Sequence, residues 1–120
     1  EGEAHPVLYG FQRNAIWPEG PHLYKRNGYY YIFHAEGGTE EHHSEMVARS
    51  KNIFGPYEYA GTNPILTHRH LGKNAEITCV GHCDLTEDEQ GNWFMVVLGC
   101  SPVDGKTFLG RETFLAKVEW

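Results

Sequence analysis

The feature that most constrains the fold is an Asn-Gly pair set between two strand-like runs. Residues 22–25 and 29–33 are rich in aromatic and apolar side chains and flank Asn27-Gly28. Asn-Gly in this position is the strongest short signal for a β-hairpin, because the tight turn needs positive φ at both residues. The second run continues to Ala35 and has the length of a strand buried on both faces. We therefore predict two antiparallel strands joined by a tight turn.

Two further strands are predicted after the hairpin. A glycine turn leads into a polar loop over residues 40–44, in which we expect His42 and His43 to be solvated. Weak alternation over residues 45–50 predicts a third strand, and a Gly-Pro turn then leads to a short fourth strand over residues 57–59. The first half of the chain is thus predicted to be a four-stranded unit.

The second half repeats the first. The aromatic run after Gly28 returns after Gly91, a spacing of 63 residues, and residues 108–120 resemble residues 44–50. A repeat of roughly 40 to 60 residues made of short strands is typical of the blades of a β-propeller. We therefore predict an all-β chain that holds about two blades.

Composition limits the classes of function. A chain of 120 residues that is 40% hydrophobic can bury one modest core. A net charge of −6, with ten scattered basic residues, predicts no nucleic-acid partner, and no apolar run has the length of a membrane span. A neutral sugar is a compatible ligand. The chain begins at Glu1 and not at Met, so we expect a processed, trimmed or fragmentary chain, and its compartment is left open.

The three cysteines are predicted to serve as buried packing residues. An odd number, Cys79, Cys83 and Cys100, cannot form a complete set of disulfides within one chain. Cys79 and Cys83 have a CxxxC spacing, which differs from the CxxC spacing of redox and zinc sites. At least one thiol is therefore free or pairs outside the chain.

Glu19 is the main candidate for chemistry. It lies between Pro18 and Gly20-Pro21, where the chain cannot continue as a helix, so we expect a stiff loop that places a carboxylate beside the hairpin. A single glutamate in such a loop is usually only solvated. Its sequence context favours a functional role instead.

The run EGPHLYKRNGYYYIFHAEGGT resembles the segment around the general acid of family 43 glycoside hydrolases, in the β-xylosidase and α-L-arabinofuranosidase branch. MVARSKNIFGPYE, NPILTHRHLG, GHCDLTEDEQGNWFMVVLG and LGRETFLAKVEW resemble later segments of that family in the same order, so the resemblance covers residues 17–120. It implies a five-bladed β-propeller, of which residues 1–120 form a part without a separate second domain. It also implies inverting hydrolysis of xylo- or arabino-oligosaccharides.

The resemblance also implies roles for particular residues. Glu19 matches the general acid, Thr39 a pocket residue, His82 the histidine near the propeller axis, and Arg111 an arginine that contacts substrate. Inverting hydrolysis needs a second carboxylate to activate water, and the acid needs a raised pKa. In the family, a base aspartate and a pKa-tuning aspartate precede the acid. No aspartate precedes Glu19 in this chain, so both are expected to be absent from it.

Alternatives to these assignments are open. His82 can instead be a core histidine, and Arg111 a surface ion-pair partner of Glu112 or Glu119. No cofactor is required, but some relatives hold calcium through water near the histidine that His82 matches, so calcium is a possible ligand there.

A cupin metal motif is disfavoured. Gly61, His68, His70, Glu76 and Gly81 occur in its residue order, but the spacings differ and no histidine follows His82. We place His68 and His70 on the connection between blades instead.

The runner-up function is a noncatalytic, sugar-binding or self-assembling propeller module. Unpaired blade edges favour oligomerisation or completion by the missing blades.

Overall fold

The computed structural model describes residues 2–12 and 16–120, and its regular structure is entirely β. The strands are β1 (Glu19–Arg26), β2 (Tyr29–Glu36), β3 (Ser44–Ser50), β4 (Glu58–Tyr59), β5 (Thr78–Glu87), β6 (Trp93–Cys100) and β7 (Glu112–Val118). The described residues contain no helix, which confirms the all-β prediction. Accordingly, they include no helix that is long and apolar enough to cross a membrane.

The strands form two antiparallel sheets in sequence order. The first sheet has the order β1-β2-β3-β4, and the second has the order β5-β6-β7. The two aromatic runs are β2 and β6, the second strand of each sheet, and β3 and β7 are the third strands. The predicted internal repeat is therefore confirmed, because equivalent sequence segments occupy equivalent strands.

The predicted hairpin between β1 and β2 is also confirmed. Arg26 pairs with Tyr29, so the turn holds only Asn27 and Gly28, with φ of 49° and 77°. Both turn residues adopt the positive φ that a two-residue hairpin requires, and asparagine and glycine tolerate it best. The local sequence thus decides the register of the first two strands.

The core lies between the two sheets. Its buried centre consists of Phe33, Cys83, Leu85 and Val97. All three cysteines are buried, as predicted, and all three are free.

An aromatic cluster closes one side of this core. The ring of Trp120 lies 4.9 Å from that of Tyr31, 5.9 Å from Phe33 and 5.2 Å from Trp93, measured between centroids. The Arg26 guanidinium lies 4.9 Å from the Trp120 ring centre. Because these rings come from both sheets, they fix how one sheet sits on the other.

Two local predictions need correction. Residues 40–44 are not solvated throughout: His42 is exposed, but His43 and Ser44 are fully buried, and β3 already begins at Ser44. Glu19 is not in a loop but is the first residue of β1, paired with Ala35. Gly20 and the following proline produce an irregularity in the strand instead of ending it, since a bulge also accommodates an unusual φ.

The sequence of residues 1–16 predicts a connecting segment or the tail of a preceding unit, with an extended patch over residues 7–11. In the structure, residues 2–12 contain no strand. The segment is nevertheless anchored to the first sheet. The buried carboxylate of Glu36 accepts hydrogen bonds from the backbone N–H groups of Phe11 (2.5 Å) and Gln12 (3.2 Å). Residues 13–15 of the predicted connection lie outside the described residues.

Candidate active site

Glu19 and His82 meet where the first strands of the two sheets approach each other. The Oε1 atom of Glu19 lies 3.9 Å from Nδ1 of His82, and the two side chains are 41% and 35% exposed. Both groups can therefore reach a ligand from solvent. The structure brings together two of the four candidate residues, although they are distant in the sequence.

The backbone of β5 turns His82 toward Glu19. The pairing of β5 with β6 is irregular on both sides of Gly81, and Cys79 and His82 both have a φ of 58°. Non-glycine residues rarely adopt this conformation, and it concentrates at functional sites. Bulges of this kind redirect side chains next to active sites.

Gly20 makes the approach of His82 possible. A Cβ atom at this position would lie 2.3 Å from Nε2 of His82, and Gly20 also has a φ of +57°. No other residue meets both requirements without displacing the imidazole. Glu19 therefore supplies the carboxylate, and Gly20 leaves the space that the His82 ring occupies.

His43 is a buried residue of the site that the sequence analysis missed. It is fully buried, its Nδ1 lies 2.8 Å from the carbonyl oxygen of Cys79, and its ring packs against Gly81. Burial lowers the pKa of His43, so the ring is neutral and Nδ1–H donates to that carbonyl. Nε2 has no hydrogen-bond partner among the described residues. No local signal in the sequence predicts this, because the contacts come from the second sheet.

Glu45 is a second buried group that the sequence analysis did not single out. Its Oε2 accepts a hydrogen bond from the backbone N–H of Cys83 at 3.1 Å, and the side chain is completely buried. Burial raises the pKa of Glu45 to about 7. Glu45 thus ties β3 directly to the segment of β5 that presents His82.

Thr39 lies in the same cavity as Glu19. The cavity has a volume of about 480 Å³, and Thr39 is exposed on its wall. This placement agrees with a pocket residue. Its contact with a substrate stays a prediction.

Arg111 lies close enough to influence the site electrostatically. It is exposed. Burial is the main reason why the pKa of His43 is lowered, and the positive charge of Arg111 lowers it further, whereas the charge of Glu19 raises it. Among the described residues Arg111 forms no ion pair, so the alternative of a pair with Glu112 or Glu119 finds no support. Its direct contact with substrate stays a prediction.

Two aspartates of the second sheet have structural partners. Asp84 accepts a hydrogen bond from the Tyr24 hydroxyl at 2.5 Å, which is the main reason why its pKa is lowered. Asp88 accepts hydrogen bonds from the backbone and side chain of Asn92 in the turn before β6. These contacts account for both carboxylates within the fold. Glu40 and Glu41 line the same cavity as Glu19, so the choice of Glu19 as the candidate acid rests on the family resemblance.

The described residues offer little to a metal ion. They contain no group of three or more His, Cys, Asp or Glu side chains arranged to hold one. A cation beside His82 would thus be held through water, as the family resemblance implies, and no chemical step below depends on it. The cupin alternative has no such group to support it either.

The arrangement suits proton donation to an oxygen atom bound in the cavity. Glu19 supplies the carboxyl group, and His82 lies beside it. Hydrolysis with inversion needs a second carboxylate roughly 6.5 to 9.5 Å away, because one carboxyl group cannot also activate water on the opposite face of the sugar. That Glu19 is one of these two carboxyl groups stays a prediction.

Comparison with known proteins identifies the family. The family model "Glycosyl hydrolases family 43" matches residues 2–120. The chain is 54% identical over 119 residues to a xylosidase/arabinosidase of Butyrivibrio fibrisolvens, covering 99% of this chain and 23% of that protein. It is 49% identical over 104 residues to a non-reducing end α-L-arabinofuranosidase of Bacteroides ovatus, covering 86% of this chain and 20% of that protein.

Solved structures agree with this match. The xylan β-1,4-xylosidase of Bacillus halodurans superposes with a TM-score of 0.91 at 40% identity, covering all of this chain and 23% of that one. The chain thus spans about a quarter or less of the length of the relatives it matches. Such family 43 enzymes are five-bladed β-propellers, so the two sheets are two of the blades, as predicted. The chain therefore belongs to glycosyl hydrolase family 43.

Proposed function

We propose that this chain supplies the acid-bearing part of an inverting glycosidase that removes terminal β-xylose or α-L-arabinofuranose from xylan-derived oligosaccharides. The observation that supports this most directly is that Glu19 lines an open cavity and has His82 beside it at 3.9 Å. Two relatives, a xylosidase/arabinosidase and an α-L-arabinofuranosidase, support the choice of sugars.

In this mechanism Glu19 protonates the oxygen of the leaving group. The water that attacks from the opposite face is activated by a carboxylate of another blade. Thr39 and Arg111 contact the sugar, and His82 orients the acid. Calcium near His82 stays a prediction, which calorimetric titration with Ca²⁺ would test.

The second sheet has a face that favours packing against a further blade. Val96 and Leu115 are paired neighbours on β6 and β7, and they are 41% and 69% exposed. Apolar pairs on neighbouring strands of a sheet are normally covered by another layer. We therefore propose that other blades complete the active site, either in the same polypeptide or in a partner chain.

The test uses the complete five-bladed enzyme that contains these residues. Glu19→Gln keeps the shape of the side chain but removes its proton, so we expect turnover of xylobiose to fall by about 10²- to 10⁴-fold. β-Xylosyl fluoride has a leaving group that needs no proton, so its turnover is expected to fall far less. The matched control is Glu58→Gln, an exposed glutamate of β4, which should leave both rates unchanged.

Equal losses on both substrates would contradict the role of Glu19 as acid. The noncatalytic alternative predicts no turnover by the complete enzyme, together with measurable binding of xylobiose. Light scattering of the 120-residue chain adds a further check. A mass near 13.7 kDa indicates two blades that stand alone, whereas a multiple of it indicates self-assembly.

A further inference from the structure

Trp17 has an unusual conformation next to the candidate acid. Its side chain is 69% exposed and its φ is 50°. A bulky residue at positive φ is a strained outlier, so surrounding contacts must hold it. A large exposed aromatic side chain held in a strained conformation is more typical of binding than of packing.

Contacts with the segment after β2 hold Trp17 in place. A Cβ atom on Gly38 would lie 2.8 and 2.9 Å from Cε3 and Cζ3 of the indole, so the ring rests directly on the glycine backbone. In addition, the N–H of Gly37 donates a 2.9 Å hydrogen bond to the carbonyl oxygen of Ile16. The indole is therefore fixed against the protein and still largely open to solvent.

The indole and the acid border the same space. Trp17 and Glu19 both line the cavity of about 480 Å³. Polar side chains complete its wall: Thr39, Glu40, Glu41 and His42. An aromatic surface can cover the C–H face of a sugar ring while carboxylates and hydroxyls accept and donate hydrogen bonds to its hydroxyl groups.

The position of Glu19 indicates which sugar ring of the substrate lies against the indole of Trp17. A general acid protonates the glycosidic oxygen, which stays with the leaving group. Trp17 is two residues from Glu19 and shares its cavity, so the ring attached to that oxygen lies within reach of the indole. We propose that Trp17 is the stacking platform for the leaving-group sugar and determines the preference for oligosaccharides over simple glycosides. The proposal rests on the proposed function of Glu19.

The test compares two substrates in the complete enzyme. The leaving group of xylobiose is a sugar ring on the side of the acid, whereas the leaving group of β-xylosyl fluoride is only a fluoride ion. Trp17→Ala is expected to lower kcat/KM for xylobiose by about tenfold to a hundredfold and to leave kcat/KM for the fluoride within about twofold. Trp17→Phe, which keeps an aromatic surface, should recover most of the loss.

Phe54→Ala is the matched control. Phe54 is 67% exposed, nearly as much as Trp17, but it lies between β3 and β4 and does not line the cavity. This variant should have the same kcat/KM as the unaltered enzyme for both substrates. Equal losses on both substrates in Trp17→Ala would overturn the proposal, because a purely structural role affects them alike. No loss on either would overturn it too, since another part of the protein then covers the indole.

Failure of the proposed function can be recognised separately. If the unaltered enzyme hydrolyses neither of these two substrates nor an arabinofuranose-bearing xylo-oligosaccharide, the catalytic assignment fails. Calorimetric titration with xylobiose then tests, independently of catalysis, whether Trp17 is a stacking platform for sugar. Binding that weakens at least tenfold in Trp17→Ala but not in Phe54→Ala supports it, and equal or absent binding in all three proteins overturns it.

Discussion

Replacement of Glu45 by glutamine is expected to change how the stability of the chain depends on pH. The Glu45 side chain is completely buried, and burial raises its pKa from 4.5 to about 7. In the unfolded chain the carboxyl group ionises near its ordinary value, whereas in the folded chain it holds its proton to about neutral pH. Its contribution to stability is therefore fully present below pH 4.5 and is lost as pH rises to about 7 and above.

The size of the effect follows from the two pKa values. With pKa values of 4.5 and about 7, the free energy of unfolding falls by about 2–3 kcal/mol between pH 5 and pH 8 because of this group alone. Glutamine cannot ionise, so Glu45→Gln should remove this loss. Its Oε1 atom can still accept the hydrogen bond from the N–H of Cys83, and any cost of the buried amide is the same at both pH values.

Urea unfolding followed by tryptophan fluorescence measures the effect. Wild type and Glu45→Gln are compared at pH 5 and pH 8, with reducing agent because the three thiols are free. For a slope of about 1–3 kcal/mol per molar urea, the wild-type midpoint should fall between the two pH values by roughly 1–3 M more than that of the variant. Glu58→Gln, an exposed change, should behave as wild type. An identical pH dependence in wild type and Glu45→Gln would refute the reasoning.

Three further substitutions test the packing of the site and core. Gly20→Ala would place a Cβ atom 2.3 Å from His82 at a φ of +57°, so we expect at least a tenfold loss of activity in the complete enzyme and a displaced imidazole in its crystal structure. Asn63→Ala removes two hydrogen bonds, one to the N–H and one to the carbonyl of Val47, and should cost about 1–3 kcal/mol in urea unfolding. Phe33→Ala empties a buried core position and should lower the free energy of unfolding by about 3–5 kcal/mol, measured in the same way.

Local features of the fold could be predicted from the sequence. Asn27-Gly28 sets its own hairpin register because turn geometry depends only on neighbouring residues. The repeat between the segments after Gly28 and Gly91 predicted two equivalent sheets, because the hydrophobic and aromatic order of a strand is encoded in consecutive residues. The family, too, could be identified from motifs that are continuous in the sequence, including the one that contains Glu19.

Only the tertiary structure decided which of these residues meet. His43 and Glu45 are polar residues next to a loop, and nothing in their neighbours along the chain indicates that both are buried against β5. The approach of His82 to Glu19 likewise depends on irregular backbone in one sheet and a glycine in the other. Burial and pKa are set by the atoms that surround a side chain, and here those atoms come from a sheet more than 30 residues away in the sequence.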